Sequence, residues 1–130
     1  MNNMILTVRT NKNIETLASD LQKAVVDHNY GVMGTHDLKK TMAKNGVDFE
    51  RECRIVEVCN PHQAKKVLNE NMEISTALPC RISIYREKEE TVMATLRPTA
   101  LLGMFAAEGA ANVAKEVEDA ITAIMNDAAK

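Results

Sequence analysis

Aromatic side chains are scarce in this chain: Tyr30, Phe49, Tyr85 and Phe105 are the only four among 130 residues, and there is no tryptophan. A platform for stacking single-stranded bases is therefore not expected. The core has to be built from Val, Ile, Leu, Ala and Met. Cysteine is nearly as sparse, at Cys53, Cys59 and Cys80. An odd count without paired spacing excludes a disulfide framework and suits a reducing cytoplasm. No close C-x-x-C pair is present, which removes the common structural zinc sites.

Excess charge is also lacking. The formal net charge of −2 gives no general attraction for polyanions, so no nucleic-acid partner is expected. Long apolar runs are missing as well. The longest, Ala100 to Ala107, contains Gly103 and is far too short to span a bilayer. The opening Met1-Asn2-Asn3-Met4 carries neither the basic stretch nor the apolar run of a signal peptide. A cytoplasmic protein without membrane association is the expectation. Gly31 and Gly34 lack the rest of a phosphate-loop pattern, and no serine elbow or recognisably spaced carboxylate pair appears.

What remains is a regular alternation of helices and strands. Met4 to Thr10 alternates like a strand, and Ile14, Leu17, Ala18, Leu21 and Val25 recur at helical spacing behind a capping Asn13. A short second strand starts at Val32-Met33, and Asp37 caps a short helix closed by Asn45-Gly46. Glu52 to Val58 reads as a third strand, followed by the helix start Asn60-Pro61. Arg81 to Arg86 and Thr91 to Leu96 form a hairpin around Glu87-Lys88-Glu89-Glu90. After the apolar turn containing Leu101, Leu102, Met104 and Phe105, a final helix carries Val113, Val117, Ile121 and Ile124 on one stripe. The pattern predicts a single α+β domain over 1–130. Its architecture is a two-layer α/β sandwich, with helices on one mainly antiparallel sheet of about five strands.

Four segments of this chain stand in a distinctive order. They are His36-Asp37, Ile55-Val56-Glu57-Val58-Cys59-Asn60-Pro61, Leu78-Pro79-Cys80-Arg81, and Pro98. In order and spacing they resemble the bacterial and archaeal family called domain of unknown function 302. The resemblance implies a compact, dimeric α/β fold. It implies no agreed substrate, cofactor or partner.

Five residues are candidates for a ligand-binding or redox site: His36, Cys59, His62, Cys80 and Arg81. Cys59 precedes a helix start, where free amides and the helix dipole favour a thiolate. The alternative is a small buried hydrophobe at a strand end. Cys80 shares a strand face with Ile82 and Ile84, while Arg81 points the other way with Ser83 and Tyr85. Arg81 would bind a carboxylate or phosphate, or pair with a surface acid. His36, expected at the start of the short helix, would serve as a base, a ligand or a capping residue. His62, in the first turn of the Asn60-capped helix, would be a neutral metal ligand or exposed surface. The two thiols approach each other only if their strands run antiparallel.

These readings lead first to a homodimeric small-ligand or protein-interaction module, self-associating through a sheet edge or the apolar turn. The alternative is a thiol-dependent redox or metal-handling protein that uses Cys59 with Cys80 or a histidine. Weaker again is an acid–base enzyme built on His36 and Arg81. No catalytic motif decides whether the chain is an enzyme, and none names a cofactor.

Overall fold

The computed structural model describes residues 3–130. Five strands form one sheet: β1 (Ile5–Thr10), β2 (Gly31–Asp37), β3 (Cys53–Cys59), β4 (Cys80–Glu87) and β5 (Glu90–Leu96). Their order is β1-β5-β4-β3-β2, and every neighbouring pair is antiparallel. The α+β sandwich is thus as expected.

Helix α1 (Ile14–Asp27) starts where the Asn13 side chain accepts the Thr16 amide, and it buries Leu17, Leu21 and Val25 completely. It stops at Asn29, whose φ of 64° lies in the left-handed region that asparagine tolerates. Because β1 and β2 are the two edges of the sheet, α1 connects one edge to the other. Helix α5 (Ala110–Ala129) packs beside α1 and contributes Val113, Val117, Ile121, Ile124 and Met125. Against these helices the sheet presents Val56, Val58, Ile82, Ile84 and Met93, all essentially inaccessible to water. The apolar sequence positions repeat every two residues in β3 and β4, and every three or four in the helices, so one face of each element is buried.

The second strand is longer than Val32-Met33 alone suggests. It runs through Asp37, with an irregularity between Val32 and Gly34. His36 therefore stands in β2, not at the start of α2 (Leu38–Lys44). Only Asp37 caps that helix, accepting the Lys40 amide at 3.1 Å. Asn60 caps α3 (Pro61–Glu70), and an unforeseen 3-10 turn fills Met72–Ala77 before the cis Leu78–Pro79 bond. The apolar turn resolves into α4 (Pro98–Leu102): Leu102 is buried, whereas Met104 beyond it is 72% exposed.

The opposite face of the sheet stays open. One row of register partners crosses all five strands, from Thr7 through Ala94, Ser83 and Ile55 to His36. Thr7 and His36 are exposed, and even Ala94 and Ser83 near its centre are only half-buried.

Candidate functional site

The candidate residues gather at one end of the sheet, where β3 stops and β4 begins. Because these strands are antiparallel with Val58 opposite Cys80, the end of one meets the start of the other. Cys59 and Cys80 consequently line the same small apolar cavity of about 30 Å³, together with Tyr30, Val67, Leu78 and Leu101. All three cysteines are free thiols. Burial raises the Cys59 thiol above its ordinary range. Burial, reinforced by the neighbouring Cys59, pushes Cys80 up to about 11. Both are protonated at neutral pH.

The helix start does not activate Cys59, because the free amides of α3 are already engaged. The Asn60 side chain accepts the amides of His62 and Gln63 at 3.0 and 3.3 Å. Tyr30 belongs to the same apolar environment. Burial, with smaller contributions from Cys80, Cys59 and Glu116, lifts its phenol to about 12.

Asn60 and Gln63 bring polar side chains to this largely apolar lining. Gln63 donates through Nε2 to Glu116 Oε2 at 2.9 Å, which leaves its buried Oε1 with no donor. An orphaned buried acceptor costs about 1–3 kcal/mol. A cavity of this size holds about one water or one equally small polar group.

A second concavity of about 260 Å³ shares Ala77, Leu78, Cys80 and Leu101 with the first, and its rim carries Arg81 and Glu57. Glu57 was not singled out from the sequence, yet it joins two residues that were. His36 Nε2 lies 3.1 Å from Glu57 Oε1, and Arg81 Nε lies 3.9 Å from Glu57 Oε2. The three side chains come from β2, β3 and β4 and lie on the open face. Arg81 remains 57% exposed, so much of its guanidinium is free to meet another acceptor. The only sequence signal for Glu57 was its position between the inward-facing Val56 and Val58. Alternation placed it outward, but strand order alone brought it between His36 and Arg81.

His62 does not join either group: it is exposed on the first turn of α3. Cys53 lies at the far end of β3, within 3.6 Å of Ser83 Oγ. Among the described residues, no three His, Cys, Asp or Glu side chains gather as a metal site. No described helix is long and apolar enough to cross a membrane.

An antiparallel five-stranded sheet with helices on one face, and a cavity at the β3–β4 end, defines an α+β sandwich with a candidate binding pocket. Comparison with known families narrows the class: the model for "Domain of unknown function DUF302" matches residues 6–128, and the chain belongs to that family. It is also similar to the crystal structure of an uncharacterized conserved DUF302 protein from Bacillus stearothermophilus. The TM-score is 0.90 at 27% sequence identity, covering 97% of this chain and 98% of the other. No curated protein matches this chain.

Proposed function

We propose that the chain is a cytoplasmic, homodimeric module that binds a small molecule at the β3–β4 end of the sheet and performs no thiol chemistry there. The observation that carries the reading is the unpaired, buried Oε1 of Gln63, a residue that lines this largely apolar cavity. A small hydrogen-bond donor entering that cavity would satisfy it. The larger part of the ligand would occupy the adjoining concavity, where Arg81 supplies a positive charge. The raised Cys59 and Cys80 thiols argue against the redox alternative, because the thiolate is the reactive form.

Native and denaturing mass spectrometry of gently purified protein tests this directly. The expected result is an additional mass on the native species that is lost on denaturation. A Leu101→Trp variant, which narrows both concavities, should fold and lose that mass. A bare chain mass, combined with alkylation of Cys59 faster than a model thiol at neutral pH, would replace ligand binding with the thiol reading.

A further inference from the structure

Helix α4 is a wall that the two concavities at the β3–β4 end share. Leu101 lines both of them, and Pro98 and Leu102 also line the inner one. At about 30 Å³ the inner cavity admits about one water, so a larger group reaches it only if a wall retreats. On the sheet side Val58 is fully buried in the core, and on the helix side α5 is also packed along α1. Helix α4 is different, because a third concavity of about 780 Å³ is bordered by its Thr99 and Leu102 and by Gly103 beyond it. It has space to move into.

The helix is also held from outside. Its five residues make little more than one turn, too short to be stable alone. Arg97 stands at the N-cap without a side-chain cap hydrogen bond, and Pro98 has no N–H to donate. The next amide, that of Thr99, is taken by Glu118 of α5. Glu118 Oε1 accepts the Thr99 amide at 3.1 Å and the Thr99 hydroxyl at 2.6 Å, and Oε2 pairs with Arg97 at 3.4 Å. The cap thus comes from a residue 19 positions further along the chain. At the other end, Gly103 lies so close to the Thr99 carbonyl that a Cβ would stand 2.8 Å from its oxygen.

We propose that α4 is the gate of the ligand site and that Glu118 is its latch. While Glu118 holds the first turn through Thr99 and Arg97, the inner cavity stays closed. Release lets α4 move toward the space behind it and admits the ligand beside Gln63. Glu118 lines neither of the two concavities, so it is a positioning residue that acts through α4. The gate rests on the ligand-binding reading above and adds how that site opens.

Iodoacetamide, with each cysteine followed by peptide mass spectrometry on the full chain, reads the gate without a ligand. Cys59 and Cys80 line the inner cavity, whereas Cys53 at the far end of β3 is the internal reference. Glu118→Ala should speed alkylation of Cys59 and Cys80 by about tenfold or more, as expected when hydrogen bonds to a charged group no longer oppose local opening. Cys53 should not change. Glu118→Gln keeps one acceptor for Thr99 and should give a smaller rise. Gly103→Ala strains the other end of α4 and should also speed the two cavity thiols. Equal acceleration of all three cysteines would mean general loosening and would overturn the gate. Unchanged rates in both Glu118→Ala and Gly103→Ala would overturn it too, while leaving the ligand site standing. Native mass of the same wild-type sample separates the two ideas: a bare chain mass with selective acceleration would count against the ligand and still support a movable α4.

Discussion

Gly34 and Glu57 face each other across β2 and β3, and the Cβ that Gly34 lacks would stand 2.8 Å from Glu57 Oε1. The glycine gives the carboxylate room beside His36. An alanine at position 34 would displace only the flexible end of Glu57, so the fold should survive with a loss below about 1 kcal/mol. The His36–Glu57 hydrogen bond should not survive. We expect the side-chain nitrogen resonances of His36 to shift in Gly34→Ala. Unchanged resonances would mean that the glycine is not what makes room for the pair.

The apolar cavity predicts a loss of stability in alkali. Cys80 and Tyr30 have folded values near 11 and 12, above their ordinary values of 9.0 and 10.0. The unfolded chain therefore releases these protons first. Their contribution is complete below about pH 9 and is lost as pH rises through the folded values. The denaturation midpoint should fall across that window, and Cys80→Val or Tyr30→Phe should each flatten the decline. Absorbance at the phenolate band should show one tyrosine titrating near 12. Ionisation of Tyr30 near its ordinary value of 10.0 would contradict its burial.

Glu118 predicts the opposite slope in acid. Burial opposes its ionisation, but the Thr99 hydroxyl and amide, at 2.6 and 3.1 Å, together with Arg97, hold its carboxyl below the usual range. A depressed folded value gives stability that is present above the ordinary carboxylate range and lost as pH falls through the folded value. Glu118→Gln should lower the thermal midpoint most near neutral pH, and the difference from wild type should shrink as pH falls through the folded value of Glu118. A gap that stays constant across pH would assign the effect to packing between α4 and α5.

Local chemistry made much of the fold legible in the sequence. Asn13, Asp37 and Asn60 each cap the helix they announce, and alternation in β3 and β4 correctly separates Ile82 and Ile84 from Arg81 and Ser83. The length of β2 was hidden because Thr35 and His36 lie on an edge strand, where few apolar side chains are required. Met72–Ala77 has no periodicity long enough to declare a 3-10 turn. The site was legible in part: Cys59 and Cys80 depended only on strand direction, but His36 and Arg81 meet through Glu57. That meeting depends on three strands being neighbours, a non-local outcome that no short motif encodes.

The position of β1 bears on how the molecule assembles. The first strand of the chain hydrogen-bonds within the sheet only to β5, with Thr10 opposite Thr91 and Ile5 opposite Leu96. The meander from β2 to β5 can zip up through successive neighbours, but β1 must wait until some eighty residues later in the chain its partner exists. Contacts this distant in sequence are costly to close and slow to form. During synthesis, β1 emerges well before β5, the strand with which it pairs.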